Sequence, residues 1–280
     1  MVEASQFIQN ARKARENGEI EQAEDFYGKA LDMVKSKGTE ELIADISTEL
    51  GLFLVGLGRD KEAVDFHRTA LESYTKLRNK IGIADANYNL CITLLNSEEY
   101  EEALKHAVNS INLYKVLNNE LGIADSHYAE GLIHSSMEEM EKAKNAFNAA
   151  IRIYKKSMQL EGVSSVLLDL GNLFVETKDY ENAVKSYKKA VKIFQDMKDL
   201  GGSGDALTSL AKLYDEKEDL SRSSTYYVEA AESYVKAELF DLAQNNISIV
   251  ENSLMQLPKA TRKRLRNKVW DLKAKLPKGT

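Results

Sequence analysis

The chain repeats itself every forty residues, and no other feature limits its fold so tightly. Ala23, Ala63, Ala103, Ala143, Ala183 and Ser223 fall in one column, and seven residues after each comes another small side chain: Ala30, Ala70, Ser110, Ala150, Ala190 and Ala230. Between the two columns stands a mostly bulky position, occupied by Tyr27, His67, Ala107, Phe147, Tyr187 and Tyr227. Spacings of four and seven put all three on one stripe of an α-helix, where paired small residues let a neighbouring backbone approach. A further small column, Ala11, Gly51, Cys91, Gly131, Gly171 and Ala211, runs twelve residues upstream and usually follows a leucine. Each unit is then a pair of amphipathic helices that cannot cover its apolar faces alone, and stacking on its neighbours buries them.

The nonapeptide GIADANYNL at 82–90 returns as GIADSHYAE at 122–130 and marks the junction between units. Gly82, Gly122, Gly162 and Gly202 are expected to end one helix by taking the left-handed conformation, which glycine adopts at little steric cost. The pattern predicts an all-α fold, a right-handed superhelical solenoid of about seven antiparallel hairpins. Its helices are expected at 2–17, 20–37, 41–57, 60–79, 81–97, 100–119, 121–137, 140–159, 161–177, 180–199, 202–217, 220–237, 239–256 and 259–275. The solenoid would cover 1–257, in units of about 1–40, 41–80, 81–120, 121–160, 161–200 and 201–238 with a degenerate unit from 239, and a separate C-terminal helix would occupy 258–280.

LGLFL at 50–54 and LGNLF at 170–174, with YEEALKHAVNS from 100 and YENAVKSYKKA from 180, resemble the first and second helices of the tetratricopeptide family. The resemblance covers six units in phase. It departs from the family in its period, forty rather than about 34 residues, and in lacking a closing proline. The six extra residues are expected to lengthen the second helix. Units opening on Gly-x-Ala, as in GIADANYNLC, also resemble the Pins/LGN subtype.

Tetratricopeptide resemblance implies that first helices face inward around a groove. Opposite the packing stripe of helix 81–97 lie Asp85, Tyr88, Asn89 and Ile92, and the equivalent positions elsewhere include Asp45, Glu49, Asp125, Tyr128, Asp169, Asn172 and Asp205. Aspartates at four of five equivalent positions make that surface acidic, and Tyr88 and Tyr128 add aromatic platforms, so a basic peptide or helix is the expected partner. The competing account is that each aspartate only steadies the first turn of its own helix. The scarcity of lysine and asparagine at these positions argues against the carboxylate clamp used by some tetratricopeptide proteins.

Residues 258–280 carry nine Lys or Arg against one Asp, a net +8 that leaves −14 for the rest of a chain whose total is −6. Leu265, Val269, Leu272 and Leu276 form an apolar stripe, so this helix reads first as a cap on the solenoid's end. The alternative is docking to nucleic acid, an anionic membrane or an acidic protein through Arg262, Lys263, Arg266 and Lys273.

Chemistry is hard to find. His127, His134 and His106 match no metal-ligand spacing, and His67 and His134 occupy packing columns, so neither metal nor cofactor is expected, nor a small-molecule substrate. Cys91 stands where other units carry glycine or alanine. One cysteine, no apolar run near the ~20 residues of a membrane span, and a start that does not read as a signal peptide together suggest a cytoplasmic, monomeric, non-enzymatic scaffold. AAESYVKAELFDLAQNNI from 230 also has a loose similarity to the soluble NSF attachment proteins, all-helical adaptors that grip an elongated helical bundle and hand it to an ATPase.

Overall fold

The computed structural model describes residues 2–37 and 39–277, and the last three residues of the expected C-terminal segment, 278–280, lie outside it. Among the described residues there is no strand, and fourteen α-helices follow one another. They are α1 (Val2–Glu16), α2 (Ile20–Lys37), α3 (Glu40–Gly56), α4 (Asp60–Lys76), α5 (Lys80–Asn96), α6 (Tyr100–Val116) and α7 (Glu120–Ser136), then α8 (Met140–Lys156), α9 (Leu160–Glu176), α10 (Tyr180–Met197), α11 (Leu200–Glu216), α12 (Leu220–Lys236), α13 (Phe240–Ser253) and α14 (Lys259–Lys273). The chain divides after Ala149, within α8, into two compact units, each built of antiparallel helix pairs.

Both helices of a typical hairpin are 17 residues long, as in α5 and α6, so the extra residues do not lengthen the second helix as expected. The second helices end three residues early, at Lys76, Val116 and Lys156. What stops them is a left-handed residue every twenty positions: Gly58, Arg78, Glu98, Asn118, Glu138, Met158, Lys178, Lys198, Glu218 and Glu238. At each, two backbone bonds close the helix. The Glu98 N–H donates to Leu95 O at 3.0 Å and the Glu99 N–H to Leu94 O at 2.9 Å, the paired bonds of a Schellman motif. The next helix then opens on a side-chain cap, with Asn79, Asn119 and Asp199 accepting from the N–H of Gly82, Gly122 and Gly202.

The junction glycines therefore have a different task from the one expected. Gly82, Gly122, Gly162 and Gly202 lie in the first turns of α5, α7, α9 and α11, and none has a positive φ. Space is what requires them: a Cβ on Gly82 would stand 2.3 Å from the Tyr74 ring, and one on Gly202 2.5 Å from the Phe194 ring. The upstream column obeys the same rule within a hairpin. A Cβ on Gly51, Gly131 or Gly171 would come within 2.5 Å of His67, Phe147 or Tyr187. Where Cys91 adds bulk, its counterpart Ala107 is small, and both are fully buried in one cluster with Leu90, Leu94 and Ala103. Large against small, at fixed spacing, is what makes the stack regular.

His67 tests that rule with a polar ring. It is 1% exposed, and neither ring nitrogen finds a partner among the described residues. Burial lowers its pKa to about 4. The folded state thus resists a proton that the unfolded chain accepts near pH 6.5, so the proton-linked penalty is absent above pH 6.5 and grows as the pH falls toward 4, to about 3 kcal/mol at the limit. His67→Phe, with Phe147 on Gly131 as precedent, should remove that acid-side loss without lowering neutral-pH stability, as read from urea unfolding at pH 7 and pH 5. Met158, 84% exposed and left-handed, provides a second check: Met158→Gly should stabilise by about 0.5–1 kcal/mol, since glycine carries no Cβ penalty there.

Candidate partner-binding face

In the first unit α5 lies against both α3 and α7, so these three first helices share a side. Asp45, Asp85 and Asp125 each occupy the sixth residue of their helix. Tyrosines of the second helices, absent from the sequence-derived set, hold this series in place. The Tyr74 hydroxyl donates to Asp45 Oδ1 at 2.8 Å and Tyr114 to Asp85 Oδ1 at 2.6 Å. In the second unit, Tyr234 donates to Asp205 Oδ1 at 2.6 Å. Asp and Tyr are separated by 29 residues each time. Where the repeat carries Ser165 in place of aspartate, the residue 29 positions on is Phe194, which has no hydroxyl. Acceptor and donor are lost together, a signal that was readable in the columns.

The carboxylates form a row. Burial, followed by the hydrogen bond to Asp45, raises the Tyr74 pKa to about 12, and this tyrosine also senses the charge of Asp85. Tyr114 is pushed up in the same way, first by burial and then by Asp85, and it also senses Asp125. Each aspartate stands at the sixth residue, beyond the first turn of its helix, and the tyrosine partners of Asp45, Asp85 and Asp205 come from other helices, so these three have a contact outside their own helix. Accepting one hydroxyl still leaves Asp45 and Asp85 exposed to solvent.

The other expected residues separate into groups. Tyr88 is half-buried against the cluster around Leu90 and Cys91, and its pKa rises to about 12 through burial and then the charge of Asp125, which places it beside the row. Tyr128 sets its ring 6.1 Å from that of Phe147, so both tyrosines flank the row as part of the core and are not free platforms. Asn89 is half-exposed on α5. Glu49 turns to the first hairpin, accepting from Arg12 Nε at 3.0 Å and from the Tyr27 hydroxyl at 3.3 Å. In the second unit the Asn172 amide reaches Asp169 Oδ1 at 3.5 Å while its own oxygen accepts from Tyr187 at 2.7 Å. The structure thus brings together Asp45, Asp85, Tyr88 and Asp125, and assigns Glu49 and Asn172 to hairpin packing.

Of the basic residues expected on α14, Arg262 is engaged by the Leu257 carbonyl and Lys273 by Glu251 at 2.9 Å, whereas Lys263 and Arg266 are exposed. His134 is buried in its aromatic slot, with Nδ1 2.6 Å from Glu139 Oε2, and His127 Nδ1 lies 2.8 Å from Glu130 Oε2. Among the described residues no three side chains are grouped to hold a metal, and no helix is long and apolar enough to cross a membrane.

A family model described as soluble NSF attachment protein matches residues 99–258. No curated protein matches the chain in sequence. Among solved structures, the apo form of RapI is similar over 96% of this chain and 99% of its own, with a TM-score of 0.68 at 16% identity. A Rap protein complexed with competence and sporulation factor covers 96% of this chain and 77% of its own, with a TM-score of 0.62 at 16% identity. A signal transduction ATPase with a tetratricopeptide repeat sensor from Pyrococcus horikoshii covers 89% of this chain and 37% of its own, with a TM-score of 0.68 at 15% identity. At these identities the likeness is one of fold, and the fold is that of tetratricopeptide-like hairpin arrays.

The aspartate–tyrosine pair can be installed where it is missing. Ser165→Asp alone should be neutral or destabilising, and adding Phe194→Tyr should recover about 1–2 kcal/mol beyond the sum of the single changes. A double-mutant cycle in urea measures that coupling.

Proposed function

The chain belongs to the soluble NSF attachment protein family, and from that premise we propose that it is a non-enzymatic cytoplasmic adaptor holding a basic, helical partner segment against its first helices. The observation that carries this reading is the row of Asp45, Asp85 and Asp125 on adjacent first helices, with two of its members demonstrably open to solvent. Like charges set side by side are unfavourable to one another, and a cationic segment laid along them relieves that repulsion. The tyrosine hydroxyls fix the carboxylates in position, so little side-chain order has to be created on binding. Asn89 extends the same surface, with Tyr88 and Tyr128 packed at its edge; Asp169 and Asp205 would serve separately on the first helices of the second unit.

Family membership favours a second element of the reading, in which the adaptor presents its bound segment to an ATPase. The Rap protein complexed with competence and sporulation factor shows a similar fold carrying a ligand, and the likeness of GIADANYNLC to the Pins/LGN subtype agrees with a scaffold. α14 packs Leu265, Val269 and Leu272 against Val228, Ile247 and Val250, which supports its service as a cap on the last hairpin. We take the working form to be a monomer.

A labelled lysine- and arginine-rich helical peptide should bind with an affinity that falls steeply with added salt. Asp85→Asn together with Asp125→Asn keeps an oxygen at residue 85 to accept the Tyr114 hydroxyl and should leave the melting temperature nearly unchanged. Anisotropy titration should then show binding weakened roughly three- to tenfold. Affinity indifferent to both changes would remove the acidic row from the mechanism.

A further inference from the structure

Trp270 is the sole tryptophan of the chain and is 77% exposed. It stands at the lip of a cleft of about 330 Å³ whose walls are Leu254, Val269, Trp270 and Ala274 and whose rim carries Arg266 together with Lys273 and Glu251, which neutralise each other at 2.9 Å. Met255, 76% exposed, projects from the neighbouring turn, where Arg262 reaches its sulfur at 4.0 Å. At 100° per residue, Lys259, Lys263, Arg266, Trp270 and Lys273 fall on one stripe of α14, about a third of a turn from the buried stripe of Leu265, Val269 and Leu272. Apart from Arg262 and Lys273, held by the Leu257 carbonyl and by Glu251, the cations of this helix divide in two. Arg264 bonds Thr225 at 3.2 Å and Lys268 lies 3.4 Å from Glu232, tying the helix to α12. Lys259, Lys263 and Arg266 are exposed and have no acidic partner among the described residues.

Capping the last hairpin needs the buried stripe alone and accounts for neither the exposed tryptophan nor the unpaired cations beside it. The family match ends at residue 258, so α14 stands outside it. We propose that this face of α14 is a docking surface for an anionic lipid bilayer, with Trp270 and Met255 entering the headgroup region and Lys259, Lys263 and Arg266 pairing with lipid phosphates and carboxylates. Three observations favour lipid over other polyanions. An apolar-walled cleft calls for an apolar occupant, which a phosphodiester backbone does not supply. Long-armed charges around projecting apolar side chains suit a fluid surface that need not be met in register. And the last 23 residues carry +8 against −14 for the rest of the chain, so this segment is the one whose net charge favours a negative surface. The proposal is independent of the acidic row, which lies in the other unit.

Because Trp270 is unique, its fluorescence reports directly on the face. Vesicles of phosphatidylcholine containing phosphatidylserine should blue-shift its emission and carry the intact chain down on sedimentation, whereas vesicles of phosphatidylcholine alone should do neither. Lys263→Glu with Arg266→Glu should lower partitioning by at least about twentyfold, at roughly fivefold for each cation. Trp270→Ser should also weaken sedimentation, with helicity and melting temperature unchanged because the side chain is exposed. The proposal is overturned if phosphatidylserine adds nothing over phosphatidylcholine, or if binding survives both substitutions. It is equally overturned if poly-glutamate or duplex DNA shifts the emission more than the vesicles do, which would identify the partner as an acidic protein or a nucleic acid.

Discussion

The regularity of this protein depends on a ring laid flat on a residue that has no room for a side chain. His67 on Gly51, Phe147 on Gly131 and Tyr187 on Gly171 close individual hairpins, while Tyr74 on Gly82, Tyr114 on Gly122 and Phe194 on Gly202 close the steps between hairpins. The second set joins a second helix to the first helix that follows it. Each contact fixes how far one helix can slide along the next, because the ring must meet its glycine. A forty-residue repeat is what such a chain looks like when these two contacts, or the small-residue substitute Cys91 and Ala107, recur along it.

The turns obey a shorter clock. A helix of seventeen residues and a three-residue turn fill twenty positions, and among the described residues the left-handed residue after a helix is arginine, glutamate, asparagine, methionine or lysine at nine positions and glycine at 18 and 58. The backbone bonds of the Schellman motif offset the strain of a Cβ in that region. The glycines at 51, 82, 122, 131, 162, 171 and 202 instead lie where another residue's ring has to pass.

Function uses what this packing leaves over. First helices brought side by side align their sixth residues, and in the first unit these are aspartates that would repel one another in any arrangement. The tyrosine hydroxyls from the second helices satisfy one oxygen of Asp45 and of Asp85 and hold the carboxylates in the row. One bond therefore serves both the hairpin and the surface, which is why the loss of aspartate at Ser165 is accompanied by the loss of hydroxyl at Phe194. α14 shows the same economy at the other end of the chain, with one stripe buried and the adjoining one free.

Helix number, hairpin pairing and the acidic columns were legible in the sequence, since a period of 3.6 within helices and forty between hairpins is written in side-chain size and polarity. The roles of Tyr74, Tyr114 and Tyr234 emerge only from the structure, because a hydrogen bond across 29 residues has no local signature. Likewise Glu49 shares a face with Asp45 by spacing but turns to Arg12 and Tyr27, a choice made by partners from another hairpin. The glycines mark the boundary most plainly. Sequence alone determined that the junctions need glycine, whereas only the tertiary structure decided that the reason is a ring from the preceding helix, since conformational freedom and missing volume look the same in one letter and differ only in what stands opposite.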